Sequence, residues 1–254
     1  MIPSTTGLRS VPGTRAAGAT APEAAAGAST RADLRQILTV LRGEFGTGSR
    51  WPADSGFEIM AGAVLVQRSS WRNAQRSLER LRRAGALDPA VMLLMDDGTL
   101  AGLIRPSGFM TGKARSLRAL AAWVTSGPGR SATALDDETL RACLLALPGI
   151  GPETADVISL YAYHRPRFIW DAYARRMLSA AGYPVGRDYE ATRARLEDAL
   201  AGEALSAAEH QELHWLVVTA GGAVRAEGWE RYLDRLLTRP GPGSRRRPEQ
   251  DVAH

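Results

Sequence analysis

From residue 31 onward, apolar positions recur with the 3.6-residue period of an α-helix, and the two-residue alternation of a half-buried strand is absent. Leu34, Ile37, Leu38 and Leu41 mark one helical face. Residues 56–66, GFEIMAGAVLV, are apolar on every side, the pattern of a helix enclosed by other helices. In SSWRNAQRSLERLRRAG, Ser69 or Ser70 is placed to cap a helix whose stripe is Trp71, Ala74, Leu78 and Leu81, and Gly85 stops it. Asp88 and Pro89 open another helix, Thr111 is placed to cap GKARSLRALAAWV, and Asp136 or Asp137 caps a helix ending near Leu147. Later helices are predicted at about 172–181, 189–201, 206–225 and 229–238, and no repeat of fixed period interrupts them. The predicted class is all-α.

The two ends differ from this core. Residues 1–33 are rich in Ala, Gly, Pro, Ser and Thr without apolar period, which predicts a disordered tail and no signal peptide. Residues 239–254 predict a second disordered tail, with a basic cluster at Arg245, Arg246 and Arg247. No apolar run is long enough to span a membrane, so the expectation is a soluble cytoplasmic monomer associated with the nucleoid. Cys143 is the only cysteine, which excludes an intramolecular disulfide and a cysteine-ligated metal site; no metal is expected. The formal charge is +5 and the pI is near 9.9. Lys113 is the only lysine, so the basic excess is almost all arginine. This balance fits a polyanionic partner and equally fits the base composition of a genome.

The stretch that periodicity does not explain is LPGIGP, residues 147–152. A helix ends near Leu147 and another starts at Pro152, whose missing N–H costs nothing in a first helical turn. Gly149 and Gly151 open backbone angles closed to other residues and leave no side chain between the backbone and a ligand. The N–H groups of such a turn and of the following helix suit a phosphodiester. A tight helix–helix turn uses the same residues.

LPGIGPETADVI followed by WDAYARRML resembles the helix-hairpin-helix DNA glycosylases of the endonuclease III superfamily. FEIMAGAVLVQRSSWRNAQRSLERL resembles that family's buried helix, and IRPSGFMTGKARSLRALA its segment ahead of the hairpin. The resemblance covers roughly residues 34–238. It implies two helical lobes with a DNA-binding cleft between them: a helical bundle at 56–166 carrying the hairpin 147–152, and a second lobe joining 34–55 to 167–238.

The resemblance also assigns roles. Asp171, by position an N-cap, is implied to be a catalytic carboxylate that stabilises an oxocarbenium-like C1′ and orients a water. Glu153 stands where bifunctional members carry a Schiff-base lysine; it is either an acid in a helix's first turn or a second active-site group. Gly149, Ile150, Gly151, Gln67 and Lys113 are the implied DNA-binding residues, with Gln67 filling the hole left by the extruded nucleotide. Arg68, Arg72 and Arg76 could track phosphates or form a solvated face, Asp156 reads as a helix-surface charge, and His214 as a structural residue. The single cysteine departs from the family's usual four-cysteine iron–sulfur loop, so no cofactor is expected; the C-terminal segment would pack through Leu213, Trp215, Leu216 and Val217.

That departure narrows the resemblance to the endonuclease III-related subgroup that includes 3-methyladenine DNA glycosylases. Trp51, before Pro52, and Trp71 then form the implied base pocket as a sandwich, or else are core aromatics. The expected function is monofunctional hydrolysis of the N-glycosidic bond of a damaged base in double-stranded DNA, an alkylated purine being favoured. The alternatives are an endonuclease III-like glycosylase and lyase acting on oxidised pyrimidines, and a non-catalytic hairpin module.

Overall fold

A computed structural model describes residues 32–48, 51–224 and 227–238. Both expected tails lie outside the described residues, except Ala32 and Asp33. Asp33 belongs to the fold: its side chain accepts the Gln36 N–H at 2.6 Å while Gln36 reaches back to the Asp33 N–H, a capping box for α1 (Leu34–Phe45). The described residues form thirteen α-helices and no strand.

The enclosed helix is α2 (Gly56–Leu65), capped by Ser55. It packs against α3 (Trp71–Arg83), α6 (Met110–Thr125) and α9 (Pro152–Tyr161). Between α3 and α6 lie two short helices, α4 (Pro89–Leu94) and α5 (Asp97–Leu103); α5 is too short for its period to show in the sequence. The one-turn α7 (Gly127–Arg130) precedes α8 (Asp137–Leu145). Ser70 and Asp136 are the capping members of their pairs. Thr111 is not a cap. Helix α6 starts at Met110 from Phe109, whose backbone is left-handed at φ 49° and ψ 39° and which makes no side-chain cap.

Helices α2 to α9 enclose one apolar cluster that includes Phe57, Leu65, Leu81, Leu117, Leu144 and Ile158. The chain then continues through α10 (Ala172–Ala180), α11 (Tyr189–Ala201), α12 (Ala207–Ala223) and α13 (Trp229–Thr238). With α1 these enclose a second cluster containing Leu34, Leu38, Trp170, Met177, Leu216 and Tyr232. The crossing point is the non-helical stretch Phe168-Ile169-Trp170. Phe168 and Trp170 are buried in the second cluster and Ile169 in the first. Alternation of this kind is what an extended chain produces between two apolar surfaces. It delivers Asp171 to the junction.

Charges also meet there. Asp156, expected on a helix surface, is fully buried. It accepts from Arg141 Nε and from the Tyr189 hydroxyl, both at 2.8 Å, and Arg167 lies 3.5 Å away. Arg141 also pairs with Glu190, and Arg167 and Arg193 share Glu138. Helix α9 packs against α8 and α11 as well as α2, and Asp156 has no solvent to face.

Candidate active site

The two hairpin glycines are glycine for different reasons. At Gly149 φ is +77°, and a Cβ would sit 2.1 Å from Ser116 Oγ, so both backbone and space demand it. Gly151 has φ −93° and ψ 178°, which any residue adopts, and a Cβ there would meet nothing within 4 Å. The fold does not require a glycine at 151; what its bare backbone leaves open is the space outside the protein. Gly151 is also the N-cap of α9 and offers no side chain, so the first-turn N–H groups of that helix are uncapped. Ile150, expected as a DNA contact, has its side chain buried in the first cluster, and its N–H donates to the Leu147 carbonyl at 3.2 Å.

Gln67 follows the C-terminus of α2 and points at the hairpin. Its Nε2 donates to Thr154 Oγ1 at 2.8 Å and to the Gly149 carbonyl at 3.2 Å. Lys113, also among the expected DNA contacts, is buried. Its Nζ is turned inward and donates to the carbonyls of Leu65 and Ser107, both at 2.8 Å. Burial depresses its pKa. The amine ties the end of α2 to the start of α6, and Lys113 lines the groove beside the hairpin.

Phe109, unremarked in the sequence, borders the same groove as Gln67, Gly149 and Gly151. It is 64% exposed on its left-handed backbone. A bulky aromatic held in that conformation and in water is a local cost without a folding benefit. Arg68, Arg72 and Arg76 are exposed and carry no ion pair among the described residues.

Behind the hairpin a cavity of about 610 Å³ opens between the two clusters. Trp51, Trp71 and Tyr161 form one aromatic side, and Tyr173, His214 and Trp215 come from α10 and α12. The expected sandwich is corrected by geometry. Trp51 and Trp71 meet edge to face, 5.2 Å between centroids at 82°, which leaves no slot for a base between them. Trp51 leans on Tyr161 at 5.2 Å and lies over Gly62, where a Cβ would come within 3.0 Å of its ring. The two tryptophans therefore make a single wall, packed on the first cluster behind and facing the cavity in front. Trp215, Val218 and Thr219 went unnoticed as lining residues. Their signal was spacing: His214, Trp215, Val218 and Thr219 share the face of α12 opposite Leu213, Leu216, Val217 and Ala220, which fill the core.

Asp171 lines this cavity and is buried, 8% exposed. Its Oδ1 caps α10 by accepting the Ala174 N–H at 2.7 Å, and its Oδ2 lies 3.8 Å from His214 Nε2. Glu153, in the first turn of α9, lines the same cavity. Its side chain keeps accessible surface, yet it sits in a concavity where protein displaces bulk water. Desolvation raises its pKa, the Asp171 charge raises it further, and His214 and Arg175 oppose the shift. Burial, then Asp171, likewise push the Tyr161 hydroxyl above its ordinary range. Cys143, the one cysteine of the sequence, lies in α8. In the second cluster α13 packs through Trp229, Tyr232, Leu233 and Leu236.

An all-helical fold in which a glycine–proline hairpin stands beside an aromatic cavity holding a buried carboxylate defines the helix-hairpin-helix class of base-excision proteins. The profile of the HhH-GPD superfamily of base excision DNA repair proteins matches residues 61–201, and the chain belongs to that superfamily. A Methanocaldococcus jannaschii protein named as a DNA repair glycosylase is 37% identical over 153 residues, 59% of this chain and 70% of its own length. Endonuclease III of Sulfolobus acidocaldarius is 29% identical over 128 residues, 50% of this chain and 56% of its own. Among solved structures, the H. pylori 3-methyladenine DNA glycosylase MagIII bound to 1,N6-ethenoadenine superposes with a TM-score of 0.62 at 24% identity, covering 76% of this chain and 98% of that one. Endonuclease III in a non-covalent DNA complex superposes at 0.61 and 20% identity, over 80% and 92% of the two chains. Among the described residues, no helix is long and apolar enough to cross a membrane.

Proposed function

We propose that this protein is a monofunctional DNA glycosylase that binds damaged duplex DNA and hydrolyses the N-glycosidic bond of an alkylated purine such as 3-methyladenine. The observation that carries the reading is the pairing of a buried carboxylate, Asp171, with an aromatic cavity that has no amine to offer. The position directly after the hairpin, in the first turn of α9, holds Glu153, and the ammonium of the only lysine is bound to two carbonyls in the interior. A Schiff base needs a neutral amine at C1′; a carboxylate stabilises the cationic sugar for attack by water.

The remaining roles follow. The uncapped N-terminus of α9 and the open backbone at Gly151 take a phosphate, and Arg68, Arg72 and Arg76 extend the basic track. Phe109 is the apolar wedge entering the base stack, and Gln67 follows it after leaving Thr154. The extruded base rests against the Trp51 wall, where an electron-poor alkylated ring gains from the π-faces and from the two carboxyl groups. The H. pylori neighbour, a 3-methyladenine glycosylase by its description, supports this substrate class.

The test is a panel of duplexes with alkylated, oxidised and deaminated bases, assayed for base release with and without alkali and for borohydride trapping on abasic DNA. Release of an alkylated purine, strand breaks only after alkali and no trapped complex are expected. A trapped complex would restore the lyase reading that the endonuclease III relatives suggest.

A further inference from the structure

We propose that His214 is a catalytic residue that, together with Asp171, holds the water that attacks C1′ and accepts its proton. The inference rests on the hydrolytic reading above.

It begins with proton counting. His214 Nδ1 is 2.8 Å from the Tyr161 hydroxyl, which is itself 3.0 Å from the Gln211 carbonyl. The carbonyl can only accept, and the hydroxyl has one proton to give. Tyr161 therefore donates to Gln211 and accepts from His214, which places the imidazole proton on Nδ1. With the proton on Nδ1, Nε2 carries a lone pair and lies 3.8 Å from Asp171 Oδ2. The other carboxylate oxygen is committed to the Ala174 N–H.

Two acceptors face each other across a gap too wide for a direct hydrogen bond. A water that donates one proton to Oδ2 and the other to Nε2 satisfies both. Its own lone pairs are left free, and both acceptors line the cavity that takes the base. As the C1′–N bond breaks, its electron pair leaves with the base. An N-alkylated purine is cationic before cleavage and departs neutral, so it needs no proton. The water oxygen forms the new C1′–O bond and releases a proton to Nε2. The resulting imidazolium stands beside the Asp171 carboxylate and later returns the proton to solvent. Further ionisable groups near this pair are Tyr161, bonded to His214, Glu153, Arg68 and Tyr173, which line the same cavity, and Arg175, whose charge Glu153 feels.

The test compares wild type with His214→Asn and His214→Gln on the alkylated duplex that wild type processes best. Asparagine puts an N–H near the Nδ1 position and keeps the donation to Tyr161, but has nothing at Nε2. Glutamine carries a carbonyl oxygen out to that point. Single-turnover excision by His214→Asn should fall by about 100-fold, within the range of positioned acid–base groups, with Tm and affinity for a tetrahydrofuran abasic duplex close to wild type. His214→Gln should recover about tenfold of that loss. In a second arm, Tyr161→Phe frees the tautomer and should slow excision without changing abasic-duplex affinity. Excision by His214→Asn within about twofold of wild type, or a rate that falls only in step with Tm or binding, would overturn the proposal. Failure of both His214 variants to fold would assign the residue a structural role and overturn it as well. Wild type that releases no base, or that is trapped by borohydride, instead sinks the hydrolytic reading beneath it.

Discussion

Asp171 shows how one residue serves two ends at once. Its Oδ1 is a helix cap, which the sequence makes plain, and its Oδ2 is turned to the cavity, which the sequence does not show. Asparagine caps a helix about as well as aspartate. Asp171→Asn should therefore keep Tm and duplex affinity while single-turnover excision falls by at least about 100-fold, the scale of one lost electrostatic stabiliser. Near-normal excision would leave only the cap. Glu153 gives a test of a different kind, because its pKa is raised in the folded protein. A raised carboxyl costs stability once the unfolded chain ionises, from about pH 4.3, and the cost levels off above the folded value. Glu153→Gln should melt like wild type below about pH 4 and above it by a margin that opens as pH rises. A margin independent of pH would place Glu153 in open water.

Among the elements, the hairpin carries the sharpest contrast. Gly149→Ala forces a left-handed alanine against Ser116 and should cost about 1–3 kcal/mol in denaturant unfolding. Gly151→Asp adds a side chain to open space, so the fold should hold while affinity for any duplex, damaged or not, declines. Unchanged affinity would turn this face of the hairpin away from DNA. Helix boundaries were legible because capping is local: Ser70, Asp136, Asp171 and Ser206 bond an N–H three residues on. Helix α6 was misread at Thr111 because its start is a strained aromatic, and no local rule selects one.

At the scale of the whole molecule, a buried ionic network joins α8, α9 and α11 beside the crossing of the chain. Asp156→Ala leaves the buried Arg141 with only the half-exposed Glu190 and removes the acceptor of the Tyr189 hydroxyl, and should cost about 3–5 kcal/mol, read from chemical denaturation. A loss below about 1 kcal/mol would mean that the arginine escapes to solvent. His210, on α12 against Phe168, has its pKa lowered to about 4, by desolvation first and with Glu209 opposing. The unfolded chain binds that proton near pH 6.5, so stability falls as pH drops from about 6.5 to about 4 and then levels off. His210→Leu should flatten this limb of a Tm-versus-pH profile. An unaltered limb would locate the acid sensitivity elsewhere.

The sequence by itself determined what rests on neighbours within one helical turn: the all-α class, most caps, the turn at Gly149 and the aspartate that opens α10. Chemistry that depends on residue type alone was also in it, such as the carboxylate at 153 and the lone cysteine. Direction and burial were not, because they follow from what packs on the far side of a residue. Packing decided that Lys113 turns inward and that Ile150 anchors the turn. The same packing buried Asp156 and set Trp51 and Trp71 as one wall rather than two. Only the return of α12 to the cavity, 43 residues beyond Asp171 at His214, brought an imidazole to the carboxylate. Proximity of that kind is made by the second cluster as a whole and has no local signature.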